Sequence, residues 1–258
     1  MIEIRSADAL CAYKDVLQCF DDVGERHNHN FEIQDLVLRV PYGQYVAAEL
    51  KRYIEHLFDA EPLKLAKGLR KAERAYARNG DRITKPSYIS RIRSYSDYSK
   101  RTKLVSTIDQ IKSVARVFCE EPNASYHVIS IFRPLDLLEK FRPGYVPCVI
   151  CADFKYREKK LVGKFFFRSC DAYNLLPFDL FYCIGISEQL IDQIVINGFR
   201  GKIELAEVMF WFSRIYVSRF DIPHRRPMLR RIEDFRVDFE SAGRRRRRIL
   251  RSLSTKFP

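Results

Sequence analysis

The sequence has no long apolar run. Of its 258 residues 47% are hydrophobic, yet no stretch approaches the ~20 consecutive apolar residues of a membrane-crossing helix, so no membrane association is expected. The opening residues MIEIRSADAL carry charges where a signal peptide would place its apolar core. The expected location is therefore the cytoplasm. A disulfide framework is missing too. The seven cysteines are odd in number and scattered from Cys11 to Cys183, which fits thiols held reduced rather than a stapled scaffold. Cys148 and Cys151 stand three residues apart in VPCVICADF, but no second close pair completes a tetrahedral zinc site. His27 and His29 lack acidic or cysteine companions and read as a polar turn. No metal is expected. Internal repeats and a convincing linker are also absent, so the expectation is one domain over residues 1–243 with a basic tail over 244–258.

Negative charge is in short supply. With 46 Lys and Arg against 33 Asp and Glu, the net charge is +13 and the pI near 9.5, which calls for an anionic partner such as a phosphorylated metabolite, a nucleic acid or an acidic surface. The run Arg244, Arg245, Arg246, Arg247, Arg248 supplies five of these charges, so the body is basic without it. The run itself reads first as a solvated tail, with a nucleic-acid contact as the alternative.

Hydrophobic spacing lays out the elements. Leu10, Tyr13, Leu17 and Phe20 recur at helical spacing, with Gly24 as a stop. FEIQDLVLRV reads as a strand. Val46, Leu50, Tyr53, Ile54 and Leu57 predict a helix over 45–58, and a basic helical segment ends at Asn79-Gly80. A polar connection rich in Ser and Arg follows to about Lys103, and Ile108, Ile111, Ala115 and Phe118 mark another helix. YHVISIF, PCVICADFKY and LVGKFFFR read as strands, the last two forming a hairpin around REKK. A helix apolar on more than one face follows Pro177, and AEVMFWFSRIYVSRF and RRIEDFRVDF supply two late strands. The fold class is α+β, a single domain with a mixed β-sheet packed by helices.

Strand alternation would send Cys148 and Cys151 to opposite faces unless the strand is irregular, and on spacing alone both read as core residues. The next segment changes that balance. FFFRSCDAYNLLPFD puts Arg168, Ser169 and Asp171 at the end of the strand paired with that of Cys148, and a cation beside a thiol favours the attacking thiolate.

At this point the sequence resembles a family. Pro-Cys at a strand start, a hairpin, Arg-Ser-x-Asp, a Leu-Pro-Phe-Asp element and a helix are similar in order to the thymidylate synthase and pyrimidine hydroxymethylase family. AEL at 48–50, SYISRIR, IDQIKSVARVFCEEPNASYHVIS, RIY at 214–216 and IEDFRV fall in the same register, so the resemblance covers roughly residues 45–240. It implies a fold dimerising through its sheet face, and folate-dependent one-carbon transfer to C5 of a pyrimidine nucleotide with 5,10-methylenetetrahydrofolate as cofactor. Cys148 would add to C6 of the ring. Glu49, through ordered water, would be the acid/base group with Tyr88 nearby. Arg168 and Ser169 would bind the phosphate, Asp171 would orient the folate, and Tyr216 would hold a sugar hydroxyl. Cys151 and Cys170 would be packing residues.

The departures refine this expectation. Thymidylate makers of the family read uracil with Asn, where this chain has Asp179. A carboxylate accepts from the cytosine amino group and from a protonated N3, but it has nothing to donate to uracil O4. A buried unmatched acceptor costs about 1–3 kcal/mol. Asp179 therefore points to cytosine, and hydroxymethylases acting on cytidylate carry Asp there. The family's phosphate-binding Arg pair falls on Ser125-Tyr126, Arg214 replaces a sugar-contacting His, and STKFP does not resemble the apolar tail that closes over the folate. The expected function is hydroxymethylation of CMP or dCMP. The alternatives are thymidylate synthesis from dUMP and a non-catalytic nucleic-acid-binding member of the family.

Overall fold

The computed structural model describes residues 1–43, 46–57, 88–99, 104–138 and 146–235. Its strands are β1 (Ile2–Arg5), β2 (Glu25–His27), β3 (Asn30–Pro41), β4 (Tyr95–Ser99), β5 (Leu104–Ile108), β6 (Val128–Ser130), β7 (Val149–Arg157), β8 (Lys160–Phe167), β9 (Cys170–Asp171) and β10 (Glu204–Ser218). The helices are α1 (Ala9–Val23), α2 (Val46–Leu57), α3 (Tyr88–Arg93), α4 (Gln110–Glu120), α5 (Leu135–Leu138), α6 (Leu176–Ile196) and α7, residues 222–235. None of the described helices is long and apolar enough to cross a membrane.

Eight strands make one mixed sheet in the order β1-β3-β10-β8-β7-β6, with β2 on β3 and β9 on β10. β1 runs parallel to β3, and β10 runs parallel to β8 and β9; the other neighbours are antiparallel. The REKK hairpin forms as expected, with Glu158 and Lys159 both at positive φ in the turn between β7 and β8. β4 and β5 make a separate two-stranded ribbon.

The α+β expectation holds, and the period-2 pattern explains which face is covered. Phe165 and Phe167 of β8, Phe210 and Phe212 of β10, and Leu36 and Leu38 of β3 are fully buried beneath α1, which packs on β3, and α6, which packs on β10. α2 and α4 lean on α6. At Gly163 a Cβ would come within 2.9 Å of Ser187 Oγ on α6, so the missing side chain lets helix and sheet approach closely. The opposite face is partly open: Trp211 is 43% exposed and its ring lies 5.8 Å from that of Phe166.

Helix ends follow their capping residues. Asp8 accepts from the Cys11 amide at 2.7 Å and Asp109 from the Lys112 amide at 3.1 Å, each satisfying an orphan donor of the first turn. Ile108, expected inside the helix, instead ends β5.

Two further expectations are corrected. The polar connection before Lys103 contains helix α3 and strand β4; its residues 81–87 and 100–103 lie outside the described residues, as does the basic segment before it. RRIEDF is not a strand but lies in helix α7, because Met228, Ile232 and Phe235 recur at i, i+4, i+7 and turn inward against the core. The following residues 236–240 and the arginine run lie outside the described residues.

Candidate active site

Cys148 sits immediately before β7, where that strand is irregular. The pairing with β8 shifts between Val149 and Cys151, and the Ile150 carbonyl accepts from the amides of both Ile131 and Phe132, each at 2.9 Å. The bulge adds one residue to the count, so Val149 and Ala152, three apart, both face the core. The premise of strict alternation fails here. Even so, the two thiols occupy different places. Cys151 pairs with Phe166, which pairs with Trp211, giving a row across the partly open face. Cys148 lies instead beside Asp179, Arg168, Tyr88 and Ser169.

The thiol of Cys148 is half-buried, and its pKa is raised. Burial is the main cause and the nearby Asp179 carboxyl the next; Arg168, Tyr88 and Ser169 pull the other way and are outweighed. The guanidinium favours the thiolate in the direction expected of it, but burial and Asp179 outweigh that pull. The Cys148 amide donates to Tyr88 Oη at 3.2 Å, which ties the thiol's backbone to the first residue of α3.

Asp179 enters from the first turns of α6, after Pro177, and is 7% exposed. Burial pushes its carboxyl up to about 7, and a hydrogen bond from Cys170 opposes that shift. Cys170 Sγ lies 3.6 Å from Asp179 Oδ2. Cys183, one helical turn further along α6, is also buried and feels the Asp179 charge. Three thiols thus surround one carboxyl, with Tyr88 closing the group from α3.

Arg168 follows β8 and grips the chain that leads to Cys148. Nε donates to the Pro147 carbonyl and Nη2 to that of Val146, both at 2.9 Å. Its backbone amide donates to the Cys148 carbonyl at 3.0 Å. Nη1 reaches Ser169 Oγ at 3.2 Å, and the residue remains exposed. The planar fork suits two diverging carbonyls, which a lysine point charge does not.

Asp171 caps its own loop. Oδ1 accepts from the Tyr173 and Asn174 amides at 3.1 and 3.0 Å, and Oδ2 from Asn174 Nδ2 at 3.0 Å. A carboxylate offers about four lone-pair sites, of which the described residues take three.

On β10, Arg214 and Tyr216 share a side, with the guanidinium carbon 5.0 Å from the tyrosine ring centroid. Arg214 Nη2 lies 2.5 Å from Glu32 Oε1 on β3. Tyr216 also feels Asp171, Cys148 and Cys170, so it belongs to the same cluster. The arrangement depends on a local twist. Asp35 has φ 52° and its bridge to Ser213 is missing, and beyond that point the buried parity switches in both strands, from Leu36 and Phe212 to Ile33 and Ile215.

Cys148, Tyr88, Arg168, Ser169, Asp171, Asp179, Arg214 and Tyr216 therefore meet at one end of the sheet. Glu49 lies on α2, but its side chain is outside the described residues. Ser125 and Tyr126 stand exposed elsewhere: the Ser125 carbonyl takes Lys155 Nζ at 2.8 Å, and Tyr126 Oη donates to Glu121. Arg116 lines a separate cleft of about 560 Å³ with Lys112, Cys119 and Asn197. Glu32 and Cys170 are the site neighbours that sequence reasoning missed or set aside. Cys170 carried a signal, since it is flanked by Ser169 and Asp171; Glu32 carried none.

Among the described residues no cluster of His, Cys, Asp and Glu could hold a metal ion. Comparison with curated proteins finds no match. The family model described as thymidylate synthase matches residues 45–195, more than half of the chain and including the segments that carry Cys148, Arg168 and Asp179. The chain belongs to the thymidylate synthase family, whose chemistry is folate-dependent one-carbon transfer to a pyrimidine.

Proposed function

We propose that the protein hydroxymethylates C5 of a cytosine nucleotide, CMP or dCMP, through a covalent bond between Cys148 and C6. The observation that carries this reading is Asp179, a sealed carboxyl beside the half-buried thiol, standing where the family's thymidylate makers read uracil with Asn. At a midpoint of about 7, Asp179 supplies one proton and one acceptor. The proton suits cytosine N3 and the acceptor suits its amino group.

Attack by Cys148 needs the thiolate, and the raised thiol explains why it would not form idly. Asp179 is the second cause of that raised pKa. Once the carboxyl is engaged by the ring, its opposition weakens and the pull of Arg168 gains weight. Sulfur then bonds to C6, and the electron pair of the C5–C6 double bond moves toward C5. Glu49, through water, would take the C5 proton as the product's double bond re-forms and Cys148 leaves. Methylenetetrahydrofolate supplies the one-carbon unit at the oxidation level of formaldehyde, and with water added the carbon is left as a hydroxymethyl group without oxidising the folate. Asp171, three of whose acceptor positions are taken among the described residues, would use the fourth for a ring N–H of that cofactor. Arg168 and Ser169 would hold the nucleotide phosphate. Tyr216, with Arg214 stacked on it, would face the sugar.

The partly open sheet face, with Trp211, Phe166 and Met209, is proposed to pair with a second copy, as the family does. A Trp211→Glu variant should sediment as a monomer if it does.

The test is release of tritium from C5-labelled CMP, dCMP and dUMP, with Cys148→Ala as control. Release from a cytosine nucleotide without dihydrofolate formation is expected. Release from dUMP alone, or formation of dihydrofolate, would replace this reading with thymidylate synthesis.

A further inference from the structure

Asp179 has one hydrogen-bond donor among the described side chains: Cys170, whose Sγ lies 3.6 Å from Oδ2. Both partners are sealed, at 0% and 7% exposure. They also arrive from separately anchored elements. Cys170 is fixed by β9, registered against Ile215 of β10, and Asp179 by the first turns of α6. The direction of the contact is therefore set by the fold rather than by the two side chains.

The contact has a specific effect on a neutral carboxyl. Such a group can carry its proton on either oxygen and so present donor and acceptor in either order. Cytosine asks for an acceptor opposite its amino group and a donor opposite N3. Uracil asks for the reverse, a donor opposite O4 and an acceptor opposite N3–H. An unconstrained carboxyl satisfies both bases by moving one proton. A thiol donating to Oδ2 makes that oxygen the acceptor and sends the proton to Oδ1.

We propose that Cys170 is a positioning residue that determines specificity: its thiol fixes the donor–acceptor order of Asp179 and so admits one pyrimidine pattern over the other. This rests on Asp179 as the group facing the base, but not on which base is preferred. Cys183 provides the internal comparison, because it is equally buried beside Asp179 yet makes no hydrogen bond to it.

The experiment is calorimetric binding of dCMP and dUMP to the whole chain and its variants, which needs no turnover. Wild type should discriminate between the two. Cys170→Ala should narrow the affinity ratio by about five- to tenfold, the size of one buried hydrogen bond, by gaining affinity for the disfavoured base. Cys170→Ser, which restores a donor, and Cys183→Ala, which changes packing alone, should keep the ratio. If Cys170→Ala does not fold, Cys170→Val, close in volume and without a donor, carries the same expectation. An unchanged ratio in the donor-less variant, equal narrowing in Cys183→Ala, loss of the ratio in Cys170→Ser, or no discrimination by wild type overturns the proposal. A wild type preferring dUMP would end the cytosine reading while leaving the Cys170 expectation standing.

Discussion

The two halves of the candidate site are built on different principles. On one side Asp179, Cys170 and Cys183 are sealed and Cys148 half-buried, so every charge there is costly and each hydrogen bond counts. On the other, Arg168 is exposed, and Arg214 is partly exposed and anchored by the buried Glu32, so the charges there are partly screened by solvent. The lesson is a division of labour. On the proposed reading the sealed half serves the chemistry and the base, and the exposed half the phosphate and the sugar.

The largest break in that comparison is Cys148→Ser. It should lower C5 exchange by about a thousandfold or more, as removal of a nucleophile does, with the melting temperature nearly unchanged. Survival of exchange would move the chemistry to another residue.

Next is the pH dependence of stability. Asp179 titrates near 7 when folded against 3.8 when unfolded, so the unfolded state releases its proton first. Its stabilising contribution is whole below about pH 4 and is lost as pH rises through 7, by up to about 4 kcal/mol. Asp179→Asn should flatten that slope and be more stable than wild type at pH 8 in urea denaturation. It should also shift C5 exchange toward dUMP. A slope that persists in the variant would assign it elsewhere.

Arg168→Lys ranks third. Losing the fork on the Val146 and Pro147 carbonyls should lower kcat/KM by about ten- to a hundredfold. A fall in kcat would report the positioning of Cys148, whereas a rise in KM alone would report only phosphate binding.

The smallest effect belongs to the far side of α4. His127 is fully buried against Phe118, with ring centroids 5.1 Å apart, and burial lowers its pKa. The unfolded chain therefore takes up the proton first as pH falls below about 6.5, and stability drops with acid, opposite in sign to Asp179. His127→Phe should remove that acid loss in denaturant melts at pH 5 and 7.5.

Much of this architecture was legible before the structure. The stripes of α1 and α2 and the REKK hairpin rest on periodicity and turn residues, which act locally. Cys148, Arg168 and Asp179 could be picked out as candidates because their motifs keep a shared order along the chain, and the structure brings them together. What escaped depends on tertiary packing. The bulge at Val149–Cys151 has no glycine or proline to announce it. RRIEDF alternates well enough to pass for a strand, and only the inward spacing of Met228, Ile232 and Phe235 makes it helical. The direction of the Cys148 shift needed the depth of burial and the distance to Asp179, neither of which a linear sequence carries. Glu32 sits 182 residues from Arg214, beyond any local pattern.

The central claim, sulfur addition by Cys148 to a cytosine ring read by Asp179, is tested most directly by trapping the adduct. A 5-fluorocytosine nucleotide cannot lose fluorine as a proton is lost, so incubation with methylenetetrahydrofolate should leave it bonded to the enzyme. Mass spectrometry of the digested protein should then find the nucleotide on the peptide containing Cys148, and no adduct in Cys148→Ser. An adduct formed only by the 5-fluorouracil nucleotide, on another cysteine, or not at all would contradict the account.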